Sequence, residues 1–233
     1  MLTVKDALKF MDKGRFEYSV TGLPVRSGIN HMTKAEARKK LGFNSDFTIL
    51  SFGGSLGAGC INDTMIEAVK WHTGKKLKIN HIHGYGGNGR DVFPEAMKAA
   101  GIPLKSDRLR ITEYINDMDV CLAAADLVIC RSGASTLAEL EAAGKASILI
   151  PSPIVAGNHQ YHNAMVLGRA GAAEVIEQKD VTSEKIISDI EKLYNDPDRV
   201  EIMSKSAAEL HLNDTNQRIL AVVEKLLDKR SQK

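Results

Sequence analysis

Thr48-Ile49-Leu50-Ser51-Phe52-Gly53-Gly54-Ser55-Leu56-Gly57-Ala58 is the stretch of sequence that decides the fold. Residues 48–52 form a short apolar run that predicts a buried strand, and a segment of helical periodicity, residues 61–72, follows closely. Residues 53–58, which we name the first turn, are nearly all small. Such a turn at a helix N-terminus leaves backbone N–H groups unpaired and adds the positive end of the helix dipole, so it suits an anion such as phosphate.

A second turn of the same kind, Arg131-Ser132-Gly133-Ala134-Ser135-Thr136, follows about eighty residues later. It comes after an apolar run, residues 127–130, and leads into a helical segment, residues 136–143. We name residues 131–136 the second turn. One such turn is common, whereas two in a single domain predict a diphosphate held between them.

Strand and helix patterns alternate regularly along the chain. The predicted strands are residues 48–52, 77–83, 109–112, 127–130, 146–150 and 173–176. The predicted helices between them are residues 61–72, 91–100, 116–124, 136–143, 159–170 and 183–195, and two closing helices follow at residues 198–210 and 213–227. Continuous apolar strands in this alternation are typical of a parallel sheet covered on both faces. The fold class is therefore α/β, a doubly wound, Rossmann-like sheet of six strands in a single domain.

The strand order brings the two turns together. In the common order 3-2-1-4-5-6, the first and fourth strands are neighbours at the point where the winding reverses. Ligands bind there, beyond the carboxyl ends of the strands. The first turn follows the first strand and the second turn follows the fourth, so we expect both turns to line one crevice.

The region before the sheet carries weaker signals. Residues 3–12 predict a short amphipathic helix and residues 16–20 a strand. Thr33 and Glu36 have the spacing of a capping box, and Gly42 suits the position just after the end of that helix.

The composition excludes several classes of protein. Of the 233 residues, 43% are hydrophobic and 26% charged, as in a globular domain, and a net charge of +2 argues against a nucleic-acid surface. The three cysteines have no C-x-x-C spacing, so neither a disulfide framework nor a structural zinc site is expected, and a reducing cytoplasm is the natural setting. No apolar run approaches the ~18 residues of a membrane span.

Glu139 lies one helical turn after Thr136, on the same face of the predicted helix. A carboxylate at this position is able to accept hydrogen bonds from both hydroxyls of a ribose whose phosphates rest on the helix end. The alternative is an acidic residue favoured only by the helix dipole, worth roughly 0.3–1 kcal/mol. The neighbouring Glu141 is expected to face solvent.

Asn158-His159-Gln160 follows the loop after the fifth strand, residues 151–157, and therefore faces the same crevice. These neutral donors and acceptors suit sugar hydroxyls. The alternative is that Asn158 caps the next helix while the other side chains stay exposed.

Two further patterns predict no site. His81 and His83 share a strand face, but no third ligand stands at convincing spacing, so a metal is not expected. Residues 84–89, which we name the glycine turn, match G-x-G-x-x-G but follow the second strand rather than the first. A flexible turn is the interpretation we favour, and the alternative is an oxidoreductase that binds NAD(H). The sequence also offers no Ser/His/Asp triad, defined carboxylate pair or P-loop lysine, so no strong general base is predicted.

At these residues the sequence resembles the MurG family, and the similarity spreads over residues 17–227. The matching stretches are residues 21–26, 52–58, 131–144 and 158–164. Members of this family are inverting, peripheral membrane N-acetylglucosaminyltransferases. They add GlcNAc from UDP-GlcNAc to the undecaprenyl-diphospho-muramoyl-pentapeptide, lipid I, which completes lipid II for peptidoglycan. They have two Rossmann-like domains of the GT-B type, and this chain resembles only the C-terminal, donor-binding one.

The resemblance implies a set of donor-binding residues. Arg26 and Ser55 would contact the diphosphate, joined by backbone groups of Ala134, Ser135 and Thr136, and the donor-binding set also includes Gly54, Ser132 and Gly133. Ile115 and Met118 would line the uracil pocket, and Glu139 would bind the ribose. Asn158, His159 and Gln160 would contact the GlcNAc. No metal and no organic cofactor is implied, and Leu23 departs from the family's usual Asn.

The resemblance also implies a missing half. The family's N-terminal domain, which binds the lipid-linked acceptor and carries the expected catalytic base and membrane patch, has no counterpart here. We therefore expect residues 1–16 to be a remnant of an inter-domain segment, residues 17–227 the donor domain and residues 228–233 a tail. The chain would bind the donor in the cytoplasm and be nearly inactive alone, as a fragment or as one subunit of a split glycosyltransferase. Full-length members associate with the inner face of the plasma membrane.

Overall fold

The computed structural model describes residues 17–29 and 31–231. The helix predicted for residues 3–12 and the segment assigned to residues 1–16 lie outside the described residues. The strand predicted for residues 16–20 begins outside them as well, and residues 17–19 have no regular secondary structure.

One sheet forms the centre of the described part of the chain. Its strands are β1 (Phe47–Phe52), β2 (Ile79–Gly84), β3 (Leu109–Thr112), β4 (Leu127–Cys130), β5 (Ala146–Leu149) and β6 (Ala173–Val175). All neighbouring pairs are parallel, and the order across the sheet is β3-β2-β1-β4-β5-β6. Both the predicted fold class and the predicted strand order are confirmed.

Helices follow the strands on both faces of the sheet. They are α1 (Lys34–Leu41), α2 (Gly59–Gly74), α3 (Phe93–Ala99), α4 (Met118–Ala124), α5 (Ala134–Ala143), α6 (His159–Arg169), α7 (Ser183–Asn195), α8 (Pro197–Leu210) and α9 (Thr215–Ser231). Short 3-10 turns occur at Gly87–Gly89, Ala156–Asn158 and Gln178–Asp180.

The core lies on both sides of the sheet. Ile49 and Leu50 are successive residues of β1, both are fully buried, and they belong to two different apolar clusters. Leu50 shares its cluster with Leu140 of α5, and Ile49 shares the other with Met65 of α2. Because successive side chains of a strand point to opposite faces, a strand buried in this way has helices on both sides. Burying each such side chain contributes about 1.5–3 kcal/mol.

The start and end of α1 follow from the sequence. The hydroxyl of Thr33 accepts the N–H of Glu36 at 3.3 Å, and the Glu36 carboxylate accepts the N–H of Thr33 at 2.9 Å. The Glu36 carboxylate also accepts the hydroxyl of Thr33 at 2.7 Å, and the two hydrogen bonds that Thr33 donates to this carboxylate lower the pKa of Glu36. Gly42 ends the helix with a φ of 76°, the left-handed conformation that glycine adopts without strain. The predicted capping box and terminal glycine are confirmed.

Several predicted boundaries shift for local reasons. Strand β2 begins at Ile79 rather than at residue 77, because the backbone of Leu77 is engaged locally: its N–H donates to the His72 carbonyl at 2.9 Å and its carbonyl accepts the N–H of Ile79 at 3.0 Å. Helix α3 is shorter than predicted and has Pro94 in its first turn, where a missing N–H costs nothing. Helix α9 continues to Ser231, past the predicted end at residue 227.

A charged network closes the edge at which the strands begin, which we name the amino edge. Asp126, just before β4, accepts the backbone N–H of Thr48 at 2.7 Å. The same carboxylate pairs with Lys34 at 2.5 Å and with Arg38. The side chains of Asp126 and Arg38 are almost buried, so each charge offsets the cost of burying the other.

The same network satisfies the last carbonyls of α4. The Lys145 ammonium donates to the carbonyls of Ala123 and Ala125 at 3.2 and 3.0 Å, and Arg38 donates to that of Ala124 at 3.1 Å. Burial lowers the pKa of Lys145 to about 8. Two cations thus occupy the negative end of a helix that would otherwise leave these groups unpaired.

Candidate functional site

The two predicted turns begin side by side. Strands β1 and β4 are hydrogen-bonded neighbours, and Phe52 at the end of β1 pairs in register with Cys130 at the end of β4. Adjacent strands lie about 4.8 Å apart. Both turns therefore leave the sheet at one point of its carboxyl edge, as the strand order predicted.

The first turn is open at the beginning of α2. Gly54 and Gly57 have φ angles of 96° and 81°, and the Gly57 N–H donates to the Gly54 carbonyl at 3.0 Å. Ala58 provides no side-chain cap. Within the described residues, Ile61 is the first residue of α2 whose N–H finds an acceptor in this turn. Ser55 is exposed beside these groups. The turn therefore presents donors without partners, which is the arrangement that an anion needs.

The second turn has the same property. Gly133 precedes α5 without a side-chain cap, and Leu137 is the first residue of this helix whose N–H finds an acceptor in the described part of the chain, the carbonyl of Gly133. Ala134 and Ser135 are exposed. Ser132 is buried, and its hydroxyl donates to the carbonyl of Gln160 at 2.8 Å. Its side chain therefore joins the turn to α6, which leaves the backbone of residues 134–136 to face a ligand.

Arg26 and Glu139 meet across the crevice. The Arg26 Nε lies 2.6 Å from Oε1 of Glu139, although the two residues are 113 positions apart in sequence. The Arg26 side chain is about half exposed and that of Glu139 is mostly covered. The structure thus brings together the residues predicted for the diphosphate and for the ribose. Glu139 is more than a dipole-favoured carboxylate, because it fixes a cation beside the second turn.

Glu141, on the same helix, differs from the expectation of a solvated side chain. It is partly buried, and burial raises the pKa of its carboxyl to about 7.

Ile115 and Met118 lie at the carboxyl edge, next to the end of β2. Ile115 is buried in the core cluster that also contains Leu50, and its side chain packs over Gly84, where an added Cβ would lie 3.2 Å from it. Met118 is partly buried against the same cluster. The two side chains therefore form the apolar floor of this part of the edge, and the exposed ring of Tyr114 stands beside them.

Residues 156–160 form a strained loop above the second turn. Gly157 and Asn158 both adopt left-handed conformations, with φ angles of 59° and 50°, and Asn158 is exposed. The Asn158 side chain makes no capping hydrogen bond, so the alternative of a helix cap is wrong. A non-glycine residue in this conformation costs about 1 kcal/mol or more and is often found at functional sites.

The two residues after Asn158 are partly committed to the loop itself. His159 Nδ1 lies 2.8 Å from the carbonyl of Ala156, so Nδ1 donates this hydrogen bond, and in the neutral ring Nε2 is then an acceptor. The side-chain oxygen of Gln160 accepts the N–H of Ser152 at 2.9 Å, which leaves its amide NH₂ as a donor. Together they offer one acceptor and one donor to a hydroxylated ligand.

Arg131 is the residue whose role the sequence did not indicate. Its guanidinium donates to the carbonyls of Ile150 and Pro151, both at 3.1 Å, and to the side-chain oxygen of Gln178 at 2.5 Å. It also lies 3.4 Å from the sulfur of Cys60, near the start of α2. Arg131 thus fixes the loop after β5 and the beginning of α2 against the end of β4.

The buried histidines belong to the core. The Ser51 hydroxyl lies 2.9 Å from His81 Nε2 and 2.8 Å from His83 Nδ1, and His72 Nε2 lies 3.2 Å from His81 Nδ1. Burial lowers the pKa of His72 to about 4 and that of His83 to about 3, and the pKa of His81 is well below its usual range for the same reason. No group of metal-ligating side chains able to hold an ion occurs among the described residues.

The N–H groups of the glycine turn are engaged with the first turn. Those of Gly87 and Asn88 donate to the carbonyls of Ser55 and Leu56, at 3.2 and 3.0 Å. A dinucleotide fingerprint needs such groups for a pyrophosphate. In this chain they donate to carbonyls of the first turn instead. Because they are already paired, the NAD(H) alternative loses its basis.

The fold and this site define a class. A doubly wound sheet in which two uncapped helix N-termini open at the point where its winding reverses is the architecture of nucleotide-binding α/β domains. No helix in the described part of the chain has both the length and the apolar character needed to cross a bilayer.

Comparison with known proteins identifies the family. Residues 48–219 match the glycosyltransferase family 28 C-terminal domain, and the chain belongs to this family. It is 39% identical over 215 residues to a protein of Desulforudis audaxviator named UDP-N-acetylglucosamine--N-acetylmuramyl-(pentapeptide) pyrophosphoryl-undecaprenol N-acetylglucosamine transferase. The aligned region covers 90% of this chain and 57% of that protein. A protein of the same name from Thermoanaerobacter is 39% identical over 226 residues, which covers 97% of this chain and 61% of that protein.

A solved structure agrees with the sequence relatives. The crystal structure of Acinetobacter baumannii MurG is similar with a TM-score of 0.72 and 26% identity, over 91% of this chain and 58% of that one. The chain thus spans about three fifths of the length of the relatives that it matches. The matched part is their C-terminal, GT-B-type domain, as the resemblance implied.

Proposed function

We propose that this chain binds UDP-GlcNAc and forms the donor half of an inverting N-acetylglucosaminyltransferase of peptidoglycan synthesis. The reaction transfers GlcNAc from UDP-GlcNAc to lipid I and gives lipid II. The names of the relatives support this activity. The observation that carries the proposal is that two helix N-termini with unpaired N–H groups open side by side, at the ends of the paired strands β1 and β4.

The diphosphate lies between the two turns in this proposal. Gly54 and Ser55 contact it from the first turn, and residues 132–136 contact it from the second, chiefly through the exposed backbone of Ala134 and Ser135. Arg26 adds a cation, since its terminal guanidinium nitrogens are not the atoms that bind Glu139. A helix N-terminus carries about half a positive charge, so two of them with one arginine approach the charge of a diphosphate.

The remaining contacts follow from the neighbours of these turns. Glu139 accepts the ribose hydroxyls, and its pairing with Arg26 fixes the carboxylate for that purpose. The uracil lies over Ile115 and Met118 at the end of β2. Asn158, His159 and Gln160 bind the GlcNAc hydroxyls, for which His159 Nε2 and the Gln160 amide are available.

The chemical contribution of this half is stabilisation of the leaving group. As the bond from the anomeric carbon to the diphosphate breaks, negative charge grows on the oxygen that leaves. Preorganised N–H groups and Arg26 stabilise that charge without reorganisation. The proposal needs no metal and no organic cofactor in this half. It assigns the base that activates the acceptor hydroxyl to the acceptor half.

The carboxyl edge has the surface expected of a domain that faces a partner. Leu56, Val92, Tyr114 and Ile154 are between 58% and 91% exposed, and each lies on the loop after a different strand. Exposed apolar residues on several loops at the same edge of a sheet fit an interaction surface. They support an acceptor-binding partner that carries the lipid-linked substrate, either in the same polypeptide or as a separate subunit. That partner would hold the cytoplasmic donor domain at the inner face of the membrane.

Calorimetric titration tests the proposal. The chain should bind UDP-GlcNAc and UDP with one-to-one stoichiometry and should not bind NADH. Glu139→Ala should weaken UDP-GlcNAc binding about 10-fold or more, because hydrogen bonds to a charged group contribute about 1.5–3 kcal/mol. Glu184→Ala, an exposed carboxylate at the start of α7, is the control and should bind as the wild type does. Absence of UDP-GlcNAc binding at millimolar nucleotide would overturn the proposal.

A mixing assay separates the two arrangements of the partner. Transfer to lipid I should be absent or very weak with this chain alone. Addition of an acceptor-binding protein encoded beside it would restore transfer if the enzyme is split between two subunits. If transfer appears only when both halves are joined in one polypeptide, the single-chain arrangement holds.

A further inference from the structure

The glycine turn packs backbone to backbone against the first turn. An added Cβ on Gly57 would lie 2.1 Å from the carbonyl oxygen of Tyr85, and one on Gly86 would lie 2.1 Å from the nitrogen of Gly57. Real Cβ atoms do not approach other atoms so closely. Gly57 and Gly86 also have φ angles of 81° and 73°, which favour glycine. The two turns therefore interlock only because both positions lack side chains.

The hydrogen bonds between the turns set the direction of the first turn's peptide groups. The carbonyls of Ser55 and Leu56 point to the glycine turn, where they accept the N–H groups of Gly87 and Asn88. In a trans peptide the C=O of one residue and the N–H of the next point in opposite directions. The N–H of Leu56 is therefore turned away from the glycine turn.

Asn62 ties the glycine turn to α2. It lies near the start of α2, is only 7% exposed, and donates from Nδ2 to the Tyr85 carbonyl at 2.9 Å. Gly89 passes close to the same amide, since an added Cβ there would lie 2.8 Å from Nδ2. On its other side the glycine turn is held by β3 and the loop after it, through Tyr85 N–H to Thr112 and Gly86 N–H to Glu113.

We propose that Asn62 and the glycine turn are positioning elements for the donor diphosphate. They hold the first turn in the conformation in which its free N–H groups face the crevice, so diphosphate affinity depends on residues that do not touch the donor. This inference rests on the proposed function. It also gives the G-x-G-x-x-G sequence a role in phosphate binding that is indirect, through the turn that it supports.

The test replaces the Asn62 amide with an isosteric group. Asn62→Asp keeps the volume but places a carboxylate oxygen against the Tyr85 carbonyl where a donor was. The affinity for UDP should fall about 10-fold or more, whereas the affinity for uridine, measured by NMR titration, should not change. A purely structural lesion would lower the binding-competent fraction and weaken the binding of both ligands equally. The deciding readout is therefore the affinity for UDP divided by the affinity for uridine, which we name the UDP-to-uridine ratio.

Asn80 provides a matched control at the amino edge. It is fully buried, donates from Nδ2 to the Asp46 carbonyl and to the Thr48 hydroxyl, and like Asn62 has a side-chain oxygen without a partner among the described residues. Asn80→Asp is the same chemical change far from the first turn. It should lower stability and leave the UDP-to-uridine ratio as in the wild type.

The outcomes are distinct. If the wild type does not bind UDP, the proposed function fails. If the wild type binds UDP and a folded Asn62→Asp variant keeps the wild-type ratio, or Asn80→Asp lowers the ratio equally, only the present inference fails. Should either aspartate variant not fold, the milder pair Asn62→Ala and Asn80→Ala is compared by the same ratio and decides in the same way.

Discussion

The two edges of the sheet treat polar groups in opposite ways. At the amino edge, Asp126, Arg38 and Lys145 supply partners for the Thr48 N–H and for the last carbonyls of α4. At the carboxyl edge, the helices that follow β1 and β4 begin without side-chain caps. A buried group without a partner costs free energy, so a fold pairs its polar groups wherever stability alone matters. The unpaired donors of the carboxyl edge lie on exposed residues, and under the proposed function they are the groups that bind the donor diphosphate.

The largest effect on stability is expected when the amino edge loses the negative charge of Asp126. Asp126→Asn keeps the shape of the side chain but leaves Arg38 nearly buried without a carboxylate. Breaking such a pair costs about 3–5 kcal/mol. The free energy of unfolding, measured with urea, should fall by this amount. The affinity of the folded variant for UDP should stay within about twofold of the wild type, and a tenfold loss would break the proposed division between the edges.

Acid should weaken the core between the two edges. His72, His81 and His83 are neutral when folded and have pKa values far below 6.5, so the unfolded chain binds their protons first. Their contribution to the free energy of unfolding is fully present above pH 6.5. It is lost as the pH falls toward 4, by roughly 1 kcal/mol per pH unit for each histidine. Glu141 acts in the opposite sense, because its raised pKa makes the folded state take up a proton below about pH 7.

Urea unfolding between pH 6.5 and 5 measures the net effect of these groups on the free energy of unfolding. Stability should decrease with falling pH, since the lowered pKa values of three histidines outweigh the raised pKa values of two carboxyls, Glu141 and Glu174. His72→Gln should reduce this dependence by roughly 1 kcal/mol per pH unit, and Glu141→Gln should increase it by a similar amount. A free energy of unfolding that rises or stays level as the pH falls would contradict the description of the histidine cluster.

The smallest effect on stability is expected at the Arg26–Glu139 pair. Because the Arg26 side chain is about half exposed, loss of the pair should cost at most about 1 kcal/mol. Arg26→Met should nevertheless weaken UDP binding about 10-fold, since a cation at the diphosphate is lost. Combining Arg26→Met with Glu139→Gln should give a loss smaller than the product of the two single losses, because residues in contact are not independent. Strict additivity would show that the pair does not act as a unit.

Most of the fold could be predicted because its signals are local. The apolar strands, the helical periodicity and the small-residue turns determine the strand order once the usual doubly wound topology is assumed. The capping box at Thr33 was predicted for the same reason. The boundary at β2 could not be predicted, because it depends on the local hydrogen bonds that the backbone of Leu77 makes with His72 and Ile79.

The parts of the site that could not be predicted depend on contacts between distant segments. The glycine turn matches a cofactor motif, and only its contact with Gly57 shows that it supports another turn. Arg131 lies inside a predicted turn, yet its partners at residues 150, 151 and 178 come from later loops. Asp126 looks like an ordinary surface residue in the sequence, and its role depends on Arg38 of α1.

An amide NMR titration with UDP tests the central claim most directly. If the two turns hold one diphosphate, the backbone amides of Ser55 and Leu56 and those of Ala134 and Ser135 should shift together and fit a single dissociation constant. Uridine should leave both sets unchanged. Shifts confined to one turn, or two different dissociation constants, would contradict the account.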